Sequence, residues 1–126
     1  MERTLEQERA AFALSRIEQV NKDDSRKAKF KSQLLKLPSR LHSNGLGQAV
    51  AFYLSAGKDK PEWQICQWLG EWLGDGHRRI YTGRESLIHH IADQDEDLYR
   101  TASAEARALA VWLKRFAEAF IAGDEE

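Results

Sequence analysis

Apolar residues recur along this chain at steps of three and four, the spacing that gathers them on one side of a helix. Ala10, Ala13, Leu14, Ile17 and Val20 form the first such stripe, widened by Leu5 and Phe12. They predict a helix over about residues 5–20. Thr4 and Gln7 make a capping-box pair, each side chain able to satisfy an orphan amide at the helix start. A polar break follows at residues 21–24. Phe30, Leu34, Leu37 and Leu41 mark a second stripe, on a helical stretch from about residue 25 to 37. Pro38 has no amide hydrogen and crowds the preceding turn, so it either kinks this helix or opens a new one. Asn44-Gly45-Leu46-Gly47 reads as a further break, with left-handed backbone open to either glycine.

The pattern changes after this break. Residues 48–55 hold the run Ala49-Val50-Ala51-Phe52-Tyr53-Leu54, apolar on nearly every face, and predict a central, buried helix. Pro61 opens the next helix, to about residue 73, carrying Trp63, Ile65, Trp68, Leu69 and Trp72. Gly74-Asp75-Gly76 ends it, and a loop runs from His77 to Gly83. Thr82 and Glu85 match a second capping box for a short helix to about residue 92. Asp93 is expected to cap the longest helix, about residues 94–122. Its rows Ala102, Leu109, Phe116 and Ala106, Leu113, Phe120 repeat every seven residues, close to two turns. Gly123-Asp124-Glu125-Glu126 reads as a frayed acidic tail.

Composition agrees with this reading. Ala (16) and Leu (14) outnumber Val, Ile and Thr together (12), which favours helix over strand. No stretch alternates apolar and polar residues between hairpin turns. The expectation is an all-α fold: one compact domain of five to seven helices with a long C-terminal helix. A chain of 126 residues, 42% hydrophobic, can bury a core without disulfides or metal. The start has no apolar signal run and no stretch is long enough to span a bilayer. With one cysteine, Cys66, this points to the cytoplasm and no membrane partner.

Candidate chemistry is sparse. Asp93, Asp95 and Asp97 have the spacing of a calcium loop, but Leu98 and Ala104 stand where that loop needs Gly and Glu. His89 and His90 point about 100° apart on a helix, and Cys66, His42 and His77 match no zinc spacing. Cys66 lies among apolar residues with no base beside it in sequence. Gly45 and Gly47 lack the strand and the Lys-Ser/Thr of a phosphate loop. No metal, no cofactor and no catalytic residue is therefore expected. Of the tryptophans Trp63, Trp68, Trp72 and Trp112, helical spacing assigns most to the core. Trp63, near a helix start, is the best candidate for stacking on a base.

Charge distribution is more informative. Net charge is −1, which excludes a uniformly basic coat. Yet residues 21–42 hold seven basic side chains against two acidic, and residues 81–126 five against ten. On a helical wheel Lys22, Arg26, Lys29, Lys36 and Arg40 share one face, with Gln33 among them. Arg100, Arg107 and Lys114 form a second row, seven residues apart. Two such rows in a near-neutral chain are candidate contacts for an RNA backbone.

Leu37-Pro38, then Asn44-Gly45-Leu46-Gly47-Gln48 running into Ala51-Phe52-Tyr53-Leu54, resembles the central segment of one family. So does Trp112-Leu113-Lys114-Arg115-Phe116-Ala117-Glu118. Both resemble the small subunit of the Cmr complex, the type III-B CRISPR effector of antiviral defence that targets RNA with a guide RNA. The resemblance spans nearly the whole chain, most specifically residues 37–54 and 106–120. It implies a non-catalytic subunit that stacks beside the backbone filament and helps hold target RNA. Partners would be the backbone subunit, neighbouring copies of itself, and the guide and target RNAs. The motif residues Leu37, Pro38, Asn44, Gly45, Leu46, Gly47, Gln48, Phe52, Trp112, Leu113 and Phe116 are expected mainly to pack. The basic rows are not part of that resemblance. In isolation the opposed charges predict a monomer or weak self-association. The rival readings are a helical DNA-binding regulator, whose recognition helix this apolar central segment does not suit, and a generic protein-interaction module.

Overall fold

The computed structural model describes residues 2–23, 25–75 and 80–122, without the side chains of Asp23 and Asp75. They form five helices and, among the described residues, no strand: α1 (Leu5–Asp23), α2 (Lys27–Leu54), α3 (Pro61–Asp75), α4 (Leu87–Asp93) and α5 (Glu96–Phe120). The predicted all-α class holds. No helix among these residues is long and apolar enough to cross a membrane. The predicted tail at 123–126 and His77 lie outside the described residues.

The chain divides into two compact units. Unit 1 takes the residues up to Pro38 and those from Ala108 onward, and unit 2 is Ser39–Arg107. In unit 1 the buried helical apolar positions are Ala13, Ile17 and Val20 of α1, Phe30, Leu34 and Leu37 of α2, and Leu109, Ala110, Leu113 and Ala117 of α5. All but Ala110 and Ala117 lie on the stripes read from the sequence, whose Ala10, Leu14 and Phe116 are only half-buried. The capping box forms as expected: Thr4 N–H donates to Gln7 Oε1 at 2.8 Å, and Gln7 N–H to Thr4 Oγ1 at 3.1 Å. At the other end of unit 1, the Asn21 side-chain amide donates to the Phe120 carbonyl at 2.8 Å and satisfies one orphan acceptor of α5. Asn21 does this from inside α1, which runs three residues past its predicted end.

In unit 2 the buried residues include Leu41, Leu46, Ala49, Val50 and Tyr53 of α2, the α3 row Ile65, Cys66, Trp68, Leu69, Trp72 and Leu73, then Tyr81, Ala102 and Ala106. α4 packs against α3, where Gly70 leaves room for Leu87. Pro61 is the first residue of α3, a position whose amide has no helical partner anyway.

Several boundaries differ from expectation. α2 continues through Pro38 without a new start, and its one non-helical residue is Gly45, at φ 82° and ψ 161°. Of the two glycines only Gly45 leaves the helical region. The segment after it is not buried all round, since Gln48, Ala51 and Phe52 are exposed. Thr82 and Glu85 do not cap α4. Tyr81 N–H is held by the Leu73 carbonyl at 3.1 Å, and Ser86 becomes the residue before the helix, its hydroxyl paired with His89 Nδ1 at 2.7 Å. Asp93 closes α4 rather than opening α5. Asp95 is the cap, accepting from Leu98 N–H at 2.9 Å. Phe120 ends α5 with 53% of its surface exposed, so its apolar row stops short of the helix end.

Candidate nucleic-acid interface

The basic row of unit 1 is divided among elements. Lys22 lies in the last turn of α1 and Arg26 precedes α2, so neither belongs to the face that a single helical wheel gave them. Arg26 is half-buried, its guanidinium 5.3 Å from the Phe30 ring centroid. Lys29 and Lys36 are exposed, seven residues and about 10 Å apart along α2. Lys114 is half-buried. With Arg115, Glu118, Val111 and Pro38 it lines a groove of about 370 Å³ in unit 1. Trp112 is fixed by donating to Glu6 Oε1 at 2.8 Å and by its tilted contact with Phe116.

In unit 2 the three remaining basic candidates differ from one another. Arg100 is exposed but ion-paired within its own helix, 2.8 Å from Glu96 and 3.6 Å from Asp97, so its field is largely cancelled. Arg107 is exposed. Arg40 is half-buried and turned to the second half of α2. Its Nη1 donates to the Tyr53 hydroxyl at 3.2 Å, and the guanidinium lies 4.9 Å from the Phe52 centroid and 5.3 Å from that of Tyr53. Burial raises the Tyr53 pKa, with Arg40 pulling against it.

The motif residues separate by burial. Leu37, Leu46 and Leu113 are buried, and Pro38, Trp112 and Phe116 half-buried. Asn44, Gln48 and Phe52 are exposed, which corrects their expected packing role: beyond Leu41 the buried positions move to Leu46, Ala49, Val50 and Tyr53, on the far side of the Gly45 break. Gly45 and Gly47 face Tyr99 of α5. Its hydroxyl would lie 3.5 Å from a β-carbon at either, and it accepts from Gly47 N–H at 2.9 Å. Tyr99 has no sequence motif. A residue 52 positions away in the chain becomes relevant only once the fold is known.

Trp63 is half-buried, while Phe52 exposes 55% of its surface and is the more accessible of the two. Trp72 is buried and donates to the buried Glu105 at 2.8 Å. Cys66 is buried beside the Val50 carbonyl, and burial pushes its thiol up to about 12, far from a reactive thiolate. A cleft of about 540 Å³ in unit 2 is lined by Gln67, Glu71, Arg84, Ser86 and a Tyr81–His90 stack with centroids 5.3 Å apart. Glu85 Oε1 lies 3.9 Å from His90 Nε2, beyond hydrogen-bond reach. Among the described residues no three His, Cys, Asp or Glu side chains converge as metal ligands would.

Comparison with known proteins agrees with this architecture. The CRISPR system Cmr subunit Cmr5 of Thermus thermophilus is 30% identical over 119 residues, covering 94% of this chain and 97% of that protein. The X-ray crystal structure of a CRISPR-associated Cmr5 family protein from Thermus thermophilus superposes with a TM-score of 0.78 at 28% identity, covering 95% of this chain and all of that one. The model of the CRISPR-associated Cas_Cmr5 family matches residues 5–120, and the chain belongs to that family.

Proposed function

We propose that this chain is the non-catalytic small subunit of a Cmr complex, working in the cytoplasm. Copies stack beside the backbone subunits, and their exposed basic residues hold RNA by its phosphates. The observation that carries this reading is the pair Lys29 and Lys36, both exposed on one face of α2 in a chain of net charge −1. Two fixed cations on a rigid helix gain from a polyanion through counterion release. Arg107 offers the same chemistry. Arg100 and Arg40 contribute less, being engaged by carboxylates and by aromatic rings respectively. A non-catalytic role fits the groups with the most chemical potential, since Cys66 is buried as the thiol and Glu105 is committed to Trp72.

Reversing Lys29 and Lys36 to Glu should leave helicity intact and weaken capture of target RNA by the reconstituted complex. Each lost phosphate contact lowers the slope of log affinity against log salt by about 0.7. An unchanged slope would mean that this face meets solvent or a protein neighbour. The isolated chain should be a monomer or a weak, salt-sensitive self-associator. Its exposed charge contacts are worth only about 0–1 kcal/mol each, and assembly must raise their effective concentration.

A further inference from the structure

We infer that Phe52, braced by Arg40, is a stacking platform for one unpaired RNA base. This rests on the RNA-holding role proposed above and adds to it a contact with bases rather than phosphates. Phe52 is the one large hydrophobic side chain among the described residues of unit 2 that is exposed. It is not a loose ring: its centroid is 6.0 Å from that of Tyr53, and the Arg40 guanidinium lies 4.9 Å from it. Arg40 is itself steered by the Tyr53 hydroxyl. With both partners in place Phe52 still shows 55% of its surface.

The surroundings favour a nucleic-acid base over a protein. Gln48, one turn earlier on the same face, and Ser55, one turn later, are exposed and polar. A protein interface needs roughly 800 Å² from each partner around an apolar centre. Here the exposed apolar surface is one ring and the small side chain of Ala51, beside polar groups and one cation. A base needs only a π-face, and the guanidinium behind the ring holds that face in place. Stacking of this kind is indifferent to base identity, as a subunit that meets any target sequence requires.

The test compares binding of a short oligouridine with that of an abasic ribose-phosphate oligomer of equal length, using the full chain across a salt series. The wild type should prefer the oligouridine by about tenfold. Phe52→Leu, which keeps an apolar side chain and removes the π-face, should erase that preference while leaving the abasic affinity and the salt slope unchanged. Phe52→Trp should retain it, with indole emission quenched by oligouridine. Circular dichroism should be unaltered in both variants. A full preference in Phe52→Leu, or none in the wild type, overturns the inference. So does a Phe52→Leu variant that changes self-association and not base preference, which would make the ring a protein contact. The Lys29→Glu, Lys36→Glu variant separates the two proposals. If it binds both oligomers like the wild type while Phe52→Leu loses the preference, the phosphate contacts are wrong and the stacking stands. If the wild type binds neither oligomer, both fall.

Discussion

Gly45 and Gly47 should respond to alanine with opposite signs, although both face the same tyrosine. Gly45 sits at φ 82°, ψ 161°, a region essentially reserved for glycine. A β-carbon there would meet Tyr99 Oη at 3.5 Å, an ordinary contact, so the loss comes from the backbone alone. Holding alanine in that conformation costs about 1–3 kcal/mol. Gly47 is helical, and its added β-carbon would meet Ile91 Cγ2 at 3.4 Å and Tyr99 Oη at 3.5 Å. Nothing needs to shift. Alanine there restrains the unfolded chain and should gain up to about 1 kcal/mol. Tyr99→Phe tests the same bend from the opposite side. It removes the acceptor of Gly47 N–H, and a partly buried amide left without one costs about 1–2 kcal/mol. Urea unfolding reads all three. With a slope of about 1.5 kcal/mol per molar urea, a loss of 2 kcal/mol lowers the midpoint by about 1.3 M. Equal losses at Gly45 and Gly47 would refute the placement of the break, and an unchanged midpoint in Tyr99→Phe would refute its role as a brace.

Leu109→Ala, at a fully buried position, should destabilise by about 2–5 kcal/mol, whereas exposed Arg107→Ala should cost under about 0.5 kcal/mol; equal losses in denaturant would mean α5 is rotated. Cys66 gives a pH dependence. Its thiol is raised from 9.0 to about 12, so the folded state holds this proton more tightly than the unfolded state does. The group's stabilisation is complete below pH 9 and is lost as pH climbs toward 12. Tyr53 and Tyr81, also raised by burial, act in the same direction. Urea midpoints should fall across that window and fall less steeply in Cys66→Ala; an identical decline in the variant would show that the thiol is not buried.

What could be read from the sequence was decided within one or two turns. Thr4 and Gln7 are three residues apart, and nothing distant competes for them, so their capping box formed as expected. Thr82 and Glu85 fit the same pattern and fail, because Tyr81 is tied back to Leu73 and the helix start moves to Ser86. Asp93 and Asp95 are equally good caps in isolation. The Gln94 N–H bond to the His90 carbonyl, 2.9 Å, keeps Asp93 in the preceding helix and hands α5 to Asp95. The basic face suffered from a different assumption. A helical wheel presumes one unbroken helix, and Lys22 and Arg26 lie outside α2. Arg40 is drawn aside by aromatic rings 12 and 13 residues on, across the glycine break. Exposure of Phe52 was hidden by its apolar neighbours, since hydropathy alone does not say which side of a kinked helix faces water.

The discontinuity of unit 1 has a consequence during synthesis. Unit 2 is a single uninterrupted stretch, Ser39–Arg107, and its residues are all available before the last segment emerges from the ribosome. Unit 1 waits for Ala108 onward, where Leu109 and Leu113 are buried and where the partners of Asn21 and Glu6 are found. Until then α1 has an apolar stripe with no α5 to cover it. Joining the two parts closes a loop the length of unit 2, at an entropic cost of about 4 kcal/mol plus a constant if that loop is still flexible. Prior folding of unit 2 removes most of that flexibility. Loop closure therefore favours an order, the middle of the chain first and its two ends together last, and until Ala108 onward has emerged the stripe of α1 stays open to chaperones or to aggregation.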